Sequence, residues 1–285
     1  MAEGALILPA SAAVAKGISA RVGGMACRPD PIATADSISD AGSQRPNCRR
    51  TAPRRRRAAR GRRRASLGVR YMMRIPVGCH RVFRHPMSNA VLVVVDIQKD
   101  FCAGGRLAIP DAEAVIPVVN SLMRTFQKVV LTQDWHPPGH VSFASSHPGR
   151  HAFERISLPS GDQVLWPDHC VAGSLGAAFH QALVIPANAV VIRKGIHPDL
   201  DAYSAFYEVD RTTPVGLEAV LRACDAGEIL LAGLATDYCV LQTALDGRSL
   251  GYEVTVIDAG CRGIDQGGTV AVAWEAMANA GVRRG

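Results

Sequence analysis

Short aliphatic runs, spaced by stretches of helical periodicity, constrain this chain more than any other feature. Val91–Val95 is continuous Val and Leu, the pattern of a strand buried on both faces. Val129–Thr132, Ala189–Arg193, Ile229–Leu234 and Glu253–Ile257 repeat the theme. Between them, helices are predicted around Asp111–Gln127, Pro214–Ala226 and Asp237–Leu250, and a last one over Thr269–Ala280. Pro214 is placed in a first helical turn, where proline is tolerated. Strand–helix alternation at this spacing predicts an α/β fold of three layers, α/β/α, around a mainly parallel central sheet.

In such a sheet the carboxyl ends of the strands share one edge, and ligands bind there. The residues that end these runs are chemically loaded. Val95 leads into Asp96, Thr132 into Gln133-Asp134-Trp135-His136, Arg193 into Lys194, and Leu234 into Ala235-Thr236-Asp237-Tyr238-Cys239. Topology therefore predicts that Asp96, Asp134, His136, Lys194 and Cys239 meet, although they span 144 positions.

Cys239 falls in the opening turn of a predicted helix, where unpaired N–H groups favour an anion and lower a thiol pKa. The competing reading is a small buried hydrophobe, the common fate of a free Cys. Cys102, Cys170, Cys224 and Cys261 are rival thiols without acid and lysine neighbours at strand ends; Cys261 is read into a Gly-rich turn. A carboxylate beside a thiol, here Asp96, can take its proton and return it to a leaving amine. An ammonium, here Lys194, favours the ionised forms of both. Taken singly, Asp96 reads equally as a turn residue and Lys194 as a solvated charge. The loop Asp134-Trp135-His136-Pro137-Pro138-Gly139-His140 holds one carboxylate and two imidazoles, and His169 in Trp166-Pro167-Asp168-His169-Cys170 offers a third. One carboxylate with two His suits a divalent iron, zinc or manganese ion. A polar loop with solvated His is the alternative, and His147, His151, His180 and His197 are read that way.

Charge divides the chain. The formal net charge is +7, yet residues 1–86 carry 18 Lys and Arg against 4 Asp and Glu, whereas residues 87–285 carry 14 against 21. Ten of the sixteen residues from Arg49 to Arg64 are Arg. Repulsion at that density predicts disorder. Three readings stay open for residues 1–86: a nucleic-acid-binding tail, a targeting segment, or translation begun upstream of a natural start at Met87. No aromatic residues interleave the Arg run, so base stacking is not implied, and the acidic body argues against a nucleic-acid partner. No apolar run approaches the roughly 18 residues of a membrane span. The eight Cys show neither a disulfide framework nor a CxxC zinc pattern. Residues 87–285 suffice for one α/β core.

Val94-Val95-Asp96-Ile97-Gln98-Lys99-Asp100-Phe101, the Asp134–Phe143 loop, Trp166–Val171, Arg193-Lys194-Gly195 and Gly233–Val240 resemble the nicotinamidases, within the isochorismatase-like cysteine hydrolases. The resemblance covers residues 89–280 and none of the leader. It implies Cys239 as nucleophile, Asp96 as general base and acid, and Lys194 as third catalytic residue. It implies Asp134, His136 and His169 as ligands of one divalent metal ion (Zn, Fe or Mn), with His140 at a position that ligates in some members and neighbours the metal in others. Phe101 and Trp166, with Tyr203, become walls around the substrate ring. The N–H groups of Ala235 and Cys239 become an oxyanion hole, and Leu234–Ala235 a cis peptide. The implied substrate is nicotinamide, with pyrazinamide beside it, in a cytoplasmic protein; a homo-oligomer is the family-level expectation. A metal-free relative acting on another amide or carbamoyl compound is the alternative. The short ending Gly281–Gly285 implies a truncated final edge strand.

Overall fold

Strand β1 (Ala90–Val95) runs through the middle of the sheet, and each residue from Val91 to Val95 is fully buried. The computed structural model describes residues 89–285. The expected disorder of residues 1–86 and the boundary at Met87 lie outside the described residues. The other sheet strands are β2 (Val129–Asp134), β5 (Val190–Lys194), β6 (Glu228–Leu234), β7 (Glu253–Arg262) and β8 (Arg283–Arg284). They align in the order β5-β2-β1-β6-β7-β8, and every pairing is parallel.

Period-two alternation sends successive side chains to opposite faces. Leu92 and Val94 pack with Val115, Ile116 and Val119 of α1 (Val115–Met123). Val91, Val93 and Val95 pack instead with α2 (Leu217–Ala223), α3 (Leu241–Ser249) and α4 (Thr269–Asn279), through Leu221, Ala244 and Met277. The result is the predicted α/β/α sandwich. Each fully buried Val or Leu contributes roughly 1.5–3 kcal/mol relative to exposure, so a polar substitution in β1 should be costly. Among the described residues no helix is long and apolar enough to cross a membrane.

From β1 the chain moves to β2 and β5 on one side; from β6 it moves to β7 and β8 on the other. The order reverses between β1 and β6, so a crevice opens beyond their carboxyl ends. Gly233 shapes it. Its φ is +135°, and a Cβ there would lie 2.0 Å from the Val95 carbonyl oxygen. The Leu234–Ala235 peptide that follows is cis.

Several elements differ from expectation. Pro214 is not in a helical turn: it bridges Tyr207 in extended pairing, and α2 starts three residues later, after Gly216 at φ 129°. An extended conformation before and at proline explains this. The helix expected from Asp237 opens as a π turn over Thr236–Val240, where the Ala235 carbonyl accepts from the N–H groups of both Tyr238 and Val240. Residues 144–165, for which no strand is predicted from sequence, contain an antiparallel hairpin, β3 (Arg155–Leu158) and β4 (Gly161–Val164). Strand β7 runs five residues past its aliphatic stretch and takes Cys261 into the sheet. The final edge strand is present as two residues paired with β7.

Candidate active site

Four strand ends deliver their side chains to the crevice. Lys194, the last residue of β5, is fully buried, and its Nζ is the hub. It contacts Asp96 Oδ2 at 3.0 Å and donates to Asp134 Oδ1, to the Ala202 carbonyl at 2.9 Å and to Cys239 Sγ at 3.3 Å. Carboxylate oxygens of Asp96 and Asp134 and the Cys239 sulfur lie within 4.8 Å of one another. Asp96 stands just past β1 at φ 48°. Its Oδ1 accepts from the Thr132 hydroxyl at 2.6 Å, and its Oδ2 has no hydrogen-bond partner beyond the Lys194 ion pair. A carboxylate oxygen beside a thiol, free to take a proton, is what this arrangement offers.

The electrostatics follow from burial and from one cation among two anions. Burial alone would discharge Lys194, but Asp134 and Asp96 outweigh it and hold the ammonium well above its usual pKa. Burial pushes the Asp96 carboxyl up to about 6, with Lys194 pulling it down. Burial also opposes the Asp134 carboxylate, yet Lys194 and His136 hold that group below its ordinary range. The Cys239 thiol departs from expectation. Burial pushes it well above its usual value, and Lys194 only partly offsets this. Loss of hydration at a closed site outweighs the favourable start of a helical turn, so the resting sulfur is a thiol, and a nearby base is needed to ionise it.

On the other side of Asp134 lie two imidazoles. His136 Nε2 is 3.7 Å and His169 Nε2 3.9 Å from Asp134 Oδ2. Each ring is fixed through its other nitrogen: His136 Nδ1 meets the Gly195 carbonyl at 3.0 Å, and His169 Nδ1 the Pro167 carbonyl at 2.8 Å. Gly195, at φ +63°, is required here, because a Cβ would fall 2.4 Å from the His136 ring. Burial, then the charge of His136, pushes His169 down to about 4 and keeps it neutral. Imidazoles oriented by carbonyls, with Nε2 atoms converging on a carboxylate, fit a divalent metal ion. His140 is placed differently. It stacks on His136 at 4.3 Å, and its two nitrogens are engaged by Ser142 Oγ at 2.7 Å and the Leu200 carbonyl at 3.0 Å. Ligand atoms of His136, His140 and Asp201 also lie within 4.8 Å of one another, so His140 packs directly against the Asp134, His136 and His169 group.

Phe101, Trp166, Tyr203, Ala235 and Cys239 line one pocket together with the Asp134, His136 and His169 set. Trp166 Nε1 donates to the Tyr203 hydroxyl at 3.1 Å, which locks the two rings together. A family model, the isochorismatase domain, matches residues 90–283. The chain belongs to the isochorismatase family. Within it, the chain is 45% identical over 197 residues to the nicotinamidase of Acinetobacter baylyi, covering 69% of this chain and 92% of that one. It is 44% identical to the Escherichia coli nicotinamidase, covering 63% and 85%. Among solved structures, an Acinetobacter baumanii nicotinamidase pyrazinamidase is 48% identical with TM-score 0.68, over 69% of this chain and 95% of the other. A pyrazinamidase of Pyrococcus horikoshii, solved in complex with zinc, is 34% identical with TM-score 0.58, over 69% and 98%.

This isochorismatase-family site also uses residues that sequence reasoning did not single out. Gln98 clamps the Asp134 backbone, accepting from its N–H and donating to its carbonyl, both at 2.8 Å. Asp100 Oδ2 accepts from the Cys170 N–H at 2.7 Å and so anchors the His169 loop. Phe143 lies edge-on to His136, His140 and His169. Leu107, Asp201, Ala202, Tyr238 and Ile264 complete the pocket wall. Gln98 and Asp100 sit inside the Val94–Phe101 motif, which was their only signal. The others carry little local signal, because sheet register and loop packing bring them in.

Proposed function

We propose that this chain is a metal-dependent cysteine amidohydrolase that converts nicotinamide to nicotinate and ammonia and also accepts pyrazinamide, with residues 87–285 as its catalytic domain. The observation that carries the reading is the buried Lys194 ammonium joining Asp96, Asp134 and Cys239 beside a carboxylate–bis-imidazole set. The names of the relatives supply the substrate class.

Asp134, His136 and His169 would hold one zinc, iron or manganese ion, which when bound supplies a Lewis-acidic anchor for the ring nitrogen. Phe101, Trp166 and Tyr203 wall the flat ring and point its carboxamide at Cys239. Asp96 takes the thiol proton, and the sulfur attacks the carbonyl carbon. The N–H groups of Ala235 and Cys239 receive the oxyanion, each such donor contributing roughly 3 kcal/mol. Asp96 passes its proton to the leaving nitrogen, the C–N bond breaks, and ammonia departs. Water deprotonated by Asp96 then cleaves the thioester, releasing nicotinate and restoring the thiol. Lys194 keeps Asp96 ionised between these transfers.

The test is ammonia release from nicotinamide by the purified chain, with metal content measured on the same sample. Turnover with about one bound ion per chain is expected. A chelator should lower kcat/KM by about 100-fold or more, with recovery on adding zinc, iron or manganese. No ammonia from nicotinamide would remove the substrate assignment; chelator-resistant turnover by metal-free protein would remove the ion.

The pH profile is a second check. Asp96 must be ionised to act as base, and its carboxyl titrates at about 6. It faces Lys194, Asp134 and Cys239, with the Thr132 hydroxyl on its other oxygen. Protonation on the acid side removes the base, so kcat/KM should fall about tenfold per pH unit below that value and level off above it. A profile flat down to roughly pH 4, well below that titration, would take Asp96 out of this role.

A further inference from the structure

Beside the substrate pocket lies a second cavity of about 350 Å³ that the proposed reaction leaves unused. Phe153, Arg155 and Val164 form one side of it, and Val272, Ala273 and Ala276 of α4 the other. Its size is that of an ordinary small-molecule site, and its mixed lining, apolar around Phe153, Leu241 and Val272 with Arg155, Gln266 and Thr269 beside them, suits aryl surface. Among the described residues, Tyr238 is the one that lines both this cavity and the substrate pocket.

Aromatic rings pack around this shared residue. Tyr238 meets Trp166 edge-on with ring centroids 4.8 Å apart, and lies 5.7 Å from Tyr203. From the far side, Phe153 reaches the same Trp166 edge-on at 5.9 Å. Tyr238 also precedes Cys239 in the π turn, so its backbone is held beside that of Cys239. A substrate ring held for attack, and extended toward Tyr238, would be stopped there.

We infer that Tyr238 is a specificity-determining partition: it confines the pocket to single-ring amides, and its removal opens the α4 cavity to aryl-extended carboxamides. The substrate class rests on the amidohydrolase reading above. The probe is a phenylnicotinamide, with the phenyl group on the ring edge remote from the carboxamide. Tyr238→Ala should favour this probe over nicotinamide, raising the ratio of their kcat/KM values by about tenfold or more, the discrimination that a shaped apolar pocket commonly supplies. Tyr238→Phe keeps the ring and should keep the wild-type ratio. Tyr238→Leu, which leaves a smaller hole, should fall between. Refilling the cavity with Val272→Trp in the Tyr238→Ala background should return the ratio toward wild type. A purely structural role would lower both substrates together and leave the ratio unmoved, which would overturn the partition.

Affinity in the Cys239→Ala background separates this from the proposed reaction. There, Tyr238→Ala should tighten binding of the phenyl amide about tenfold or more by calorimetry. Equal affinities with and without Tyr238 would end the partition. Absence of ammonia release by the wild-type chain would end the amidohydrolase reading and leave this measurement in force.

Discussion

Cys239→Ala is expected to reduce nicotinamide turnover by about 10⁴-fold or more while leaving the fold and nicotinamide binding intact. The magnitude follows from what is lost. On the proposed mechanism, loss of the sulfur removes the covalent route and leaves the remaining donors and ring walls to supply only binding and oxyanion stabilisation. Stability should change little, because among the described residues the sulfur makes a single hydrogen bond, from Lys194, and the ammonium keeps Asp96, Asp134 and the Ala202 carbonyl. Cys239→Ser sharpens the result. A hydroxyl can replace the contact to Lys194 but ionises far less readily than a thiol, so it should restore geometry without restoring rate. Ammonia release, calorimetric affinity for nicotinamide and a melting curve on the wild type and both variants decide it. Full turnover by Cys239→Ala would remove the covalent mechanism altogether.

The strand ends were legible because two simple rules act together. A strand buried on both faces must be a continuous aliphatic run, and parallel strands bring their carboxyl ends to one edge. That is why Asp96, Asp134, Lys194 and Cys239 could be grouped from sequence, and why three of them lie within a few ångströms of the Lys194 ammonium. The Cys239 titration was not legible. A local rule, thiol at a helix start, pointed down; burial, which depends on the whole fold, pushes the thiol up. Support residues escaped for a related reason. Thr132 reaches Asp96 only because β2 and β1 pair in a particular register, and Phe143 reaches three imidazoles only through loop packing. The β3–β4 hairpin was hidden because its four-residue strands are short, half polar and partly exposed, so they lack the continuous aliphatic signature of the core. The partners of His140, Ser142 and Leu200, were not legible either, because Leu200 lies 60 residues away and meets it only through loop packing.

Lys194→Met should be the most destabilising conservative-volume change at the site, by about 3–5 kcal/mol, because it leaves buried charge without its counter-charge. For a domain of this size that is a fall in Tm on the order of 10 °C. The reason lies in what remains. Asp96 and Asp134 present oxygens within 4.8 Å of each other, both buried, with the cation that reconciled them removed. The loss is then a property of the pair of anions and not of the missing methylenes, which Met replaces. Removing one anion should therefore recover part of it: Lys194→Met with Asp96→Asn should be more stable than Lys194→Met alone by about 1–3 kcal/mol. Activity should not recover with stability. On the proposed mechanism the single variant has no ammonium to keep Asp96 ionised and the double variant has no base, so both should be inactive. Denaturant midpoints for wild type, the two single variants and the double variant give the coupling directly. A double variant no more stable than Lys194→Met would show that the lysine acts through packing, and that charge balance is not what holds these four strand ends together.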